Sequence, residues 1–291
     1  MLWQDVRVHW QDQYIVKCES FCQNLFHNIV YSNSVFVSTM DILIFVNFFL
    51  VFMIGASLCS WITYEFDNYE IDASIRNKLF KRSQCDHCGE KLKWYNLFPV
   101  FSYLFQNGKS TCCDKRINFK YLALESFAGV ILLLSFSLNS IYLGIIALLV
   151  LALVLFDERF LEIPLWINIA MLVWVLNYHQ NNSSFEMMQN NFIFALIVFA
   201  ALLLLYFIFL KVKGYAGFGL GDAILIFSIC LHLGLPLGIY AITLASLGLL
   251  VKILWVKRYK EQHAFGSWLG GSFLVITLYQ EFYGFAGLAS I

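Results

Sequence analysis

The chain has 291 residues, of which 60% are hydrophobic and 13% charged, and its 19 Lys and Arg balance its 19 Asp and Glu. Soluble globular domains carry about 25% charged and about 45–50% apolar residues, so this composition cannot clothe a water-facing surface and points to a lipid bilayer as the solvent. The balanced charge excludes a strongly basic nucleic-acid binder and an acidic disordered tail, which both need a charge excess.

Residues 1–40 are polar and unpatterned and end at Met40-Asp41, where the first apolar run begins. They lack the order of a signal peptide and are set aside as an extension, either an outer arm or the product of an upstream start. Beyond them the expected fold is all-α. A spanning helix needs roughly 20 apolar residues, because about 30 Å of hydrocarbon is crossed at about 1.5 Å per residue. Apolar runs predict about eight transmembrane helices in a polytopic bundle, at 41–64, 121–138, 139–156, 163–178, 192–212, 222–237, 239–256 and 266–283. Tight turns at Leu138-Asn139-Ser140 and Gly234-Leu235-Pro236 reverse the chain. The domains are then the extension 1–40, a first transmembrane helix 41–64, a cysteine-bearing loop 65–120 and a transmembrane core 121–291. The Asn/Gln-rich segment 177–191 reads as a solvated loop, and His179 and His232 as turn or interface histidines rather than ligands. Trp166, Trp174, Trp255 and Trp268 stand near helix ends, where interfacial anchors belong.

Lys and Arg of short loops collect on the cytoplasmic side. Ten of them lie between residues 65 and 120, and Arg159, Lys211, Lys213, Lys252, Lys257, Arg258 and Lys260 fall on the same side by alternation, so 17 of 19 face the cytoplasm. The segment 177–191 on the other side has none.

Two acids stand out, because a carboxylate at the end of an apolar run is costly unless paired or protonated. Asp157 closes the run LLVLALVLF, and Asp222 follows GFGLG and opens AILIFSICLHLG. Both fall at the cytoplasmic ends of their helices, so they share a depth although 65 residues separate them. Two carboxylates a few ångströms apart share a proton; one can then activate a water while the other protonates a peptide carbonyl or leaving nitrogen, as in aspartic proteases. Gly217, Gly219 and Gly221 suit that chemistry, since a missing Cβ lets backbone lie close to an extended substrate. The blander reading makes Asp222 a first-turn helix residue and Asp157 an interfacial charge paired with Arg159. Taken as a pair with GLGD, the two acids favour catalysis.

GFGLGD ending at Asp222, with Asp157 seven residues before Pro164, resembles the GxGD membrane aspartyl proteases. The loop CDHCGEKLKWYNLFPVFSYLFQNGKSTCCDKRINFKYLALE narrows this further. Its CxxC, WY…P…SYL, later cysteine pair and closing Tyr121 and Glu125 resemble the signature loop of bacterial type IV prepilin peptidases. The likeness extends to GASLCSW (Gly55–Trp61) and to Phe265-Gly266, and covers roughly residues 41–275. It implies a bifunctional multi-pass enzyme of the inner membrane with its active site facing the cytoplasm. Such enzymes remove the short basic leader of prepilins or pseudopilins serving pili, secretion or competence, and many then N-methylate the new terminus with S-adenosylmethionine. By this match Asp157 and Asp222 are the catalytic pair, with Gly219 and Gly221 beside the substrate. Glu125, early in an apolar helix, either pairs with Lys120 or Arg116 or assists at the substrate.

Of eight cysteines, Cys85, Cys88, Cys112 and Cys113 lie in the loop. A CxxC knuckle with a second pair suits tetrahedral zinc, which can hold a loop that has no core. The family's second pair is also CxxC, but alignment on Ile117 puts Ser110 where its first cysteine belongs, so Cys85, Cys88 and Cys113 match and Cys112 or His87 is left to complete the set. Adjacent residues seldom ligate one ion comfortably. Asn96 and Ile224 are further departures, from an Asp and a Lys that are common in the family; with Ser110 they bear on zinc and methylation rather than on the acid pair. No glycine fingerprint for S-adenosylmethionine follows a strand, so methylation rests on the resemblance alone. A competing class is a non-catalytic scaffold, or an ion- or proton-coupled transporter using the acids. A transporter calls for polar midspan residues and often two related halves, whereas the midspans here are apolar. An intramembrane protease that cuts within helices is a third reading, and it would not require the cysteine loop.

Overall fold

The computed structural model describes residues 42–69, 83–85, 87–182, 184–214, 218–257 and 262–288; the extension 1–40 and Gly217 lie outside them. The chain divides into two units, 1–50 and 51–291. Of the first, residues 42–50 are described, as the opening turns of a helix; the interactions below belong to the second.

Among the described residues there is no β-strand, and a helix stands at each predicted apolar run. These are α1 (Ile42–Asp67), a short α2 (Phe101–Phe105) within the cysteine loop, α3 (Phe119–Ser137), α4 (Ile141–Phe160), α5 (Leu165–Asn182), α6 (Phe185–Lys213), α7 (Leu220–Leu233), α8 (Leu237–Val256) and α9 (Gly266–Leu288). Asn139, at φ 54°, makes the α3–α4 reversal. Five helices (α1, α3, α4, α6 and α8) are long and apolar enough to cross a bilayer, which makes this an all-α polytopic membrane protein.

The other three depart from the expectation of eight equivalent spans, for physical reasons. α7 has 14 residues, about 21 Å of helix against about 30 Å of hydrocarbon. α5 and α9 are diluted by polar side chains that turn inward, among them Asn168 and His179 on α5 and Ser272 and Thr277 on α9, all buried. These three helices and α4 hold the centre, where Leu153, Phe156, Ile167, Met171, Leu269 and Phe273 are fully buried. α6 lies at the other extreme, with only Asn191 and Ala195 buried.

The polar segment 177–191 is helix at both ends rather than a solvated loop. α5 runs on to Asn182 and α6 begins at Phe185, because Ser184 caps α6 by accepting from Met187 N at 3.2 Å and Glu186 sits in its first turn, where negative charge suits the helix dipole. Asn191 is buried and donates to the Leu231 carbonyl at 3.2 Å. Gly234, at φ +64°, makes room for it, since a Cβ there would lie 2.3 Å from Asn191 Oδ1. Nearby, His232 Nδ1 lies 3.2 Å from Tyr142 Oη, and the rings of His179 and His232 sit 5.8 Å apart, so both histidines belong to a buried aromatic cluster. The tryptophans also turn inward more than expected. Trp166 meets Phe156 edge-on, Trp174 donates to the Tyr142 carbonyl, and Trp268 fills the space over Gly248, which leaves Trp255, 85% exposed, in the setting of an anchor.

Without water exclusion between lipid-embedded helices, close backbone approach over small residues drives their association. α1 meets α3 in this way. A Cβ on Gly55 would lie 2.7 Å from the Ala128 carbonyl and 3.0 Å from Gly129 Cα, and one on Gly129 would lie 2.6 Å from the Phe52 ring.

Candidate active site

Asp157 stands in the last turn of α4, 4% exposed. Its Oδ2 accepts from the backbone N of Ser267 at 2.5 Å and from Ser267 Oγ at 2.9 Å. Ser267 is the second residue of α9, whose first-turn N–H groups have no partner within the helix and point outward; the helix start therefore cradles the carboxylate. Arg159 does not pair with Asp157: its guanidinium lies over the rings of Phe66 and Phe160, at 4.9 and 5.3 Å.

Asp222 is the third residue of α7 and half-buried. Its Oδ2 reaches back to accept from Gly219 N at 3.3 Å, so it serves the helix start as a capping residue. Gly219 and Leu220 are exposed, and the backbone before Asp222 is open to a neighbour.

The α4–α5 connection joins these two acids. A Cβ on Gly266 would lie 3.2 Å from Asp157 Cγ and 2.8 Å from Ile163 Cδ1; one on Gly221 would lie 3.4 Å from Ile163 Cβ. Ile163 thus lies against the glycine beside each acid, and at Gly266 it leaves no room for a Cβ, whereas at Gly221 a Cβ would meet it in ordinary van der Waals contact. Asp157 lies near enough to Asp222 for their charges to interact. The starts of α5, α7 and α9 and the end of α4 meet at this point. The surroundings of the two acids differ: one carboxylate is buried and held by two donors, the other half-open at a helix N-terminus.

Sequence reasoning passed over Ser267, Ile163 and Asn168. Ser267 opens an apolar run directly after Phe265-Gly266, a helix-start signal in its own right. Asn168 is 1% exposed, its Oδ1 has no hydrogen-bond partner among the described residues, and its Nδ2 lies 3.6 Å from where a Gly221 Cβ would stand. A lone Asn in an apolar run gives no sign of its neighbour.

In the cysteine loop two turns repeat one hydrogen-bond pattern. Cys85 N donates to the Glu90 carbonyl at 2.8 Å and Gly89 N to the Cys85 carbonyl at 2.9 Å; Ser110 N donates to the Lys115 carbonyl at 2.8 Å and Asp114 N to the Ser110 carbonyl at 2.9 Å. The bridges Gln84 to Lys91 and Lys109 to Arg116 close them alike, and Gly89 and Asp114 both take positive φ, 72° and 55°. Cys85 therefore corresponds to Ser110 and Cys88 to Cys113. The sulfur missing at Ser110 comes from Cys112: the four sulfurs of Cys85, Cys88, Cys112 and Cys113 all lie within 4.8 Å of one another. Cys88 to Cys112 is 3.1 Å and Cys85 to Cys113 is 3.8 Å, and a tetrahedron with zinc–sulfur bonds of about 2.3 Å has edges of about 3.8 Å. The donor set and spacing fit that ion. The Ser110 hydroxyl, 3.4 Å from Cys85 Sγ, holds the Cys85 thiol down to about 6, while the bond to Cys112 pushes Cys88 up to about 12. His87 lies outside the sulfur cluster.

Glu125, on α3, is buried, and its Oε2 accepts from Val100 N in the loop at 2.7 Å. Lys120 and Tyr121 turn to Asp67 instead, at 3.2 and 2.5 Å. The structure thus seats Glu125 with the loop, while Gly219 and Gly221 stay with the acids.

Residues 43–138 match the family described as Bacterial Peptidase A24 N-terminal domain. The chain is similar to the prepilin leader peptidase/N-methyltransferase of Pectobacterium carotovorum subsp. carotovorum, 29% identical over 67% of this chain and 74% of that one. The protein of the same name from Dichelobacter nodosus is 27% identical over 69% and 72%, and that from Dickeya chrysanthemi 26% over 65% and 70%. No solved structure matches.

Proposed function

As the chain belongs to the type IV prepilin peptidase family, we propose that it is an aspartyl endopeptidase that removes the leader of prepilin-like proteins at the cytoplasmic face of the inner membrane, and that methylation of the new amino terminus follows. The observation that carries the peptidase reading is the contact of Ile163 with both Gly221 and Gly266, which draws together two acids 65 residues apart.

With one carboxylate charged and the other protonated, the charged one takes a proton from a water whose oxygen adds to the scissile carbonyl carbon. The protonated one donates toward the carbonyl oxygen. A proton then reaches the leaving nitrogen as the C–N bond breaks, giving a carboxylate and a free amine. Unlike surroundings are what splits an acid pair into two roles, and Asp157 under Ser267 and Asp222 at the start of α7 have them. The exposed backbone at Gly219 supports the approach of an extended peptide. The cytoplasmic orientation rests on the distribution of Lys and Arg.

Cys85, Cys88, Cys112 and Cys113 would hold a zinc ion, whose part is to tie the two knuckles together. Methyl transfer would use S-adenosylmethionine as donor, in keeping with the relatives' name.

The test is cleavage of a prepilin in membranes by Asp157→Asn and Asp222→Asn. Both are expected to accumulate in the membrane and leave the substrate uncut. Near-parental cleavage by either would remove that acid from the mechanism.

A further inference from the structure

Asn168 lies in the first turn of α5 and is 1% exposed, and its Oδ1 has no hydrogen-bond partner among the described residues. A buried carbonyl oxygen that receives no hydrogen bond carries the whole cost of leaving water, and in a native structure such a group calls for a reason. The amide stands at the acid pair. A Cβ on Gly221, the residue before Asp222, would lie 3.6 Å from Asn168 Nδ2 and 3.6 Å from the Ile163 carbonyl oxygen. That carbonyl is another acceptor, and Pro164 after it has no N–H to give. What Asn168 lacks is a hydrogen.

The acids meet the opposite situation. Asp157 Oδ2 receives hydrogens from Ser267 N and Ser267 Oγ, bonds that are stronger when the accepting carboxylate is charged. Asp222 Oδ2 receives one, from Gly219 N at 3.3 Å. Asn168 Oδ1 does the reverse of these donors: it offers a lone pair and asks for a hydrogen. Sealed from solvent beside the start of α7, it can find one on a protonated carboxyl.

The ionisable groups around the pair are few. From α4, Glu158 acts on Asp157 but is paired with Lys252 of α8, and Arg159 lies over aromatic rings. Glu162, in the α4–α5 connection, is exposed and acts on Tyr69. α6 ends in the exposed Lys211 and Lys213, the half-buried His263 precedes α9, and the first turns of α5 and α9 hold no charged side chain. The charge that acts on Asp222 is that of Asp157.

We infer that Asn168 is a positioning residue for the proton of the acid pair: its carbonyl oxygen accepts the O–H of Asp222, so that Asp222 is the protonated acid and Asp157, under Ser267, the charged one. Moving the proton to Asp157 would leave Asn168 without its hydrogen and weaken the two bonds from Ser267. The inference rests on the peptidase reading for what the proton does and divides the roles within it. Asp157 takes the proton from the attacking water, and Asp222 donates toward the carbonyl oxygen of the scissile bond.

Infrared spectroscopy of the full-length protein reads the proton without turnover. The carboxylic carbonyl stretch that disappears in Asp222→Asn belongs to the pair, and such a stretch rises when its O–H loses an acceptor. It should rise in Asn168→Leu and in the smaller Asn168→Ala, and stay in place in Ser267→Ala. The Ser267→Ala spectrum, which keeps Asn168, decides the matter even where the Asn168 variants do not fold. Cleavage of a prepilin against pH gives the second reading. Without its acceptor, protonated Asp222 gives up its proton at lower pH, so the alkaline limb in Asn168→Leu should move toward acid by about 0.5–1 unit, roughly a three- to tenfold change in the proton equilibrium. An absent stretch, one that ignores both Asn168 variants, one that moves in Ser267→Ala instead, or an unmoved alkaline limb overturns the inference, and a parent that cleaves prepilin then leaves the peptidase reading standing. The expected spectra from a parent that never cleaves prepilin support the placing of the proton and count against the peptidase alone.

Discussion

The cysteine loop and the aspartate site each bring distant side chains together, by opposite means. In the loop the geometry is local: each knuckle is closed by backbone bonds reaching four and five residues along the chain, and Trp94, Phe98, Leu104 and Phe105 remain exposed. Nothing there buries enough surface to fix four sulfurs, and on the reading proposed above a zinc ion would do so. At the aspartate site the cap that Asp222 makes to Gly219 is local, but the contacts that seat Asp157 are not. Asp157 is held from 110 residues away by Ser267, and the contact exists only because α4 and α9 pack through buried Leu153, Phe156, Leu269 and Phe273. The loop should therefore come apart as one unit when its ion is lost, while the acid pair should stand as long as the helices do.

The largest effect that would sharpen this contrast is on cleavage itself. Asp157→Asn or Asp222→Asn should each lower the cleavage rate by about 10²–10⁴-fold, the usual worth of a positioned acid or base. The double variant should be little worse than either single one, because residues that act as a unit are not additive. Multiplying single-variant losses would mean that the acids work separately.

Next comes the loop. Zinc analysis of the purified protein should give one ion per chain, and a chelator should render the segment 83–118 susceptible to protease while the far-ultraviolet helical signal stays. Cys112→Ser should lose the ion as fully as Cys85→Ser does. Because Ser110 occupies the knuckle position that Cys85 occupies in the first turn, Ser110→Cys should restore zinc to the Cys112→Ser protein. Failure of that rescue, with the parent still metallated, would show that the two turns are not equivalent as ligand platforms.

Each region was legible in the sequence to the extent that its geometry is local. The CxxC spacing and the helix at each apolar run follow from short-range pattern, the displaced Ser110 follows from the family resemblance, and the structure keeps all of them. Asp157 and Asp222 stand out singly by their cost in an apolar run, but their partners do not. Ser267, Ile163 and Asn168 owe their places to the meeting of four helix ends, which no window of sequence contains. The same limit explains segment 177–191. Its polar letters look solvated, yet Asn191 and His179 are buried against α7, because a polar side chain with an internal partner can replace an apolar one at a helix contact.

Smaller effects probe the shell around the acids. Ser267→Ala removes the Oγ donor to Asp157 but keeps the backbone donor, so a loss of about tenfold in cleavage is expected, near the lower bound for a hydrogen bond to a charged group. Gly266→Ala places a Cβ 2.8 Å from Ile163 Cδ1, an overpacking that costs about 1–3 kcal/mol. Adding Ile163→Val, which lacks that carbon, should recover part of the lost stability in a thermal unfolding assay. No recovery would mean that the 3.2 Å approach to Asp157 Cγ, and not Ile163, sets the limit.

The smallest effect expected is at Lys252 and Glu158, next in sequence to Asp157. Their 2.8 Å bridge is the shortest ion pair among the described residues, yet the side chains are 31% and 48% exposed. Exposed pairs are worth roughly 0–1 kcal/mol, because solvent screens the charges and ordering two long side chains has an entropic cost. A double-mutant cycle with Lys252→Ala and Glu158→Ala should therefore give a coupling below about 1 kcal/mol, shrinking further at high salt. The corresponding cycle of Ser267→Ala with Asp157→Asn should give the larger coupling, since its hydrogen bonds are buried and one partner is an acid with little access to water. If the exposed pair proved the stronger of the two, surface charge rather than helix packing would be what seats Asp157.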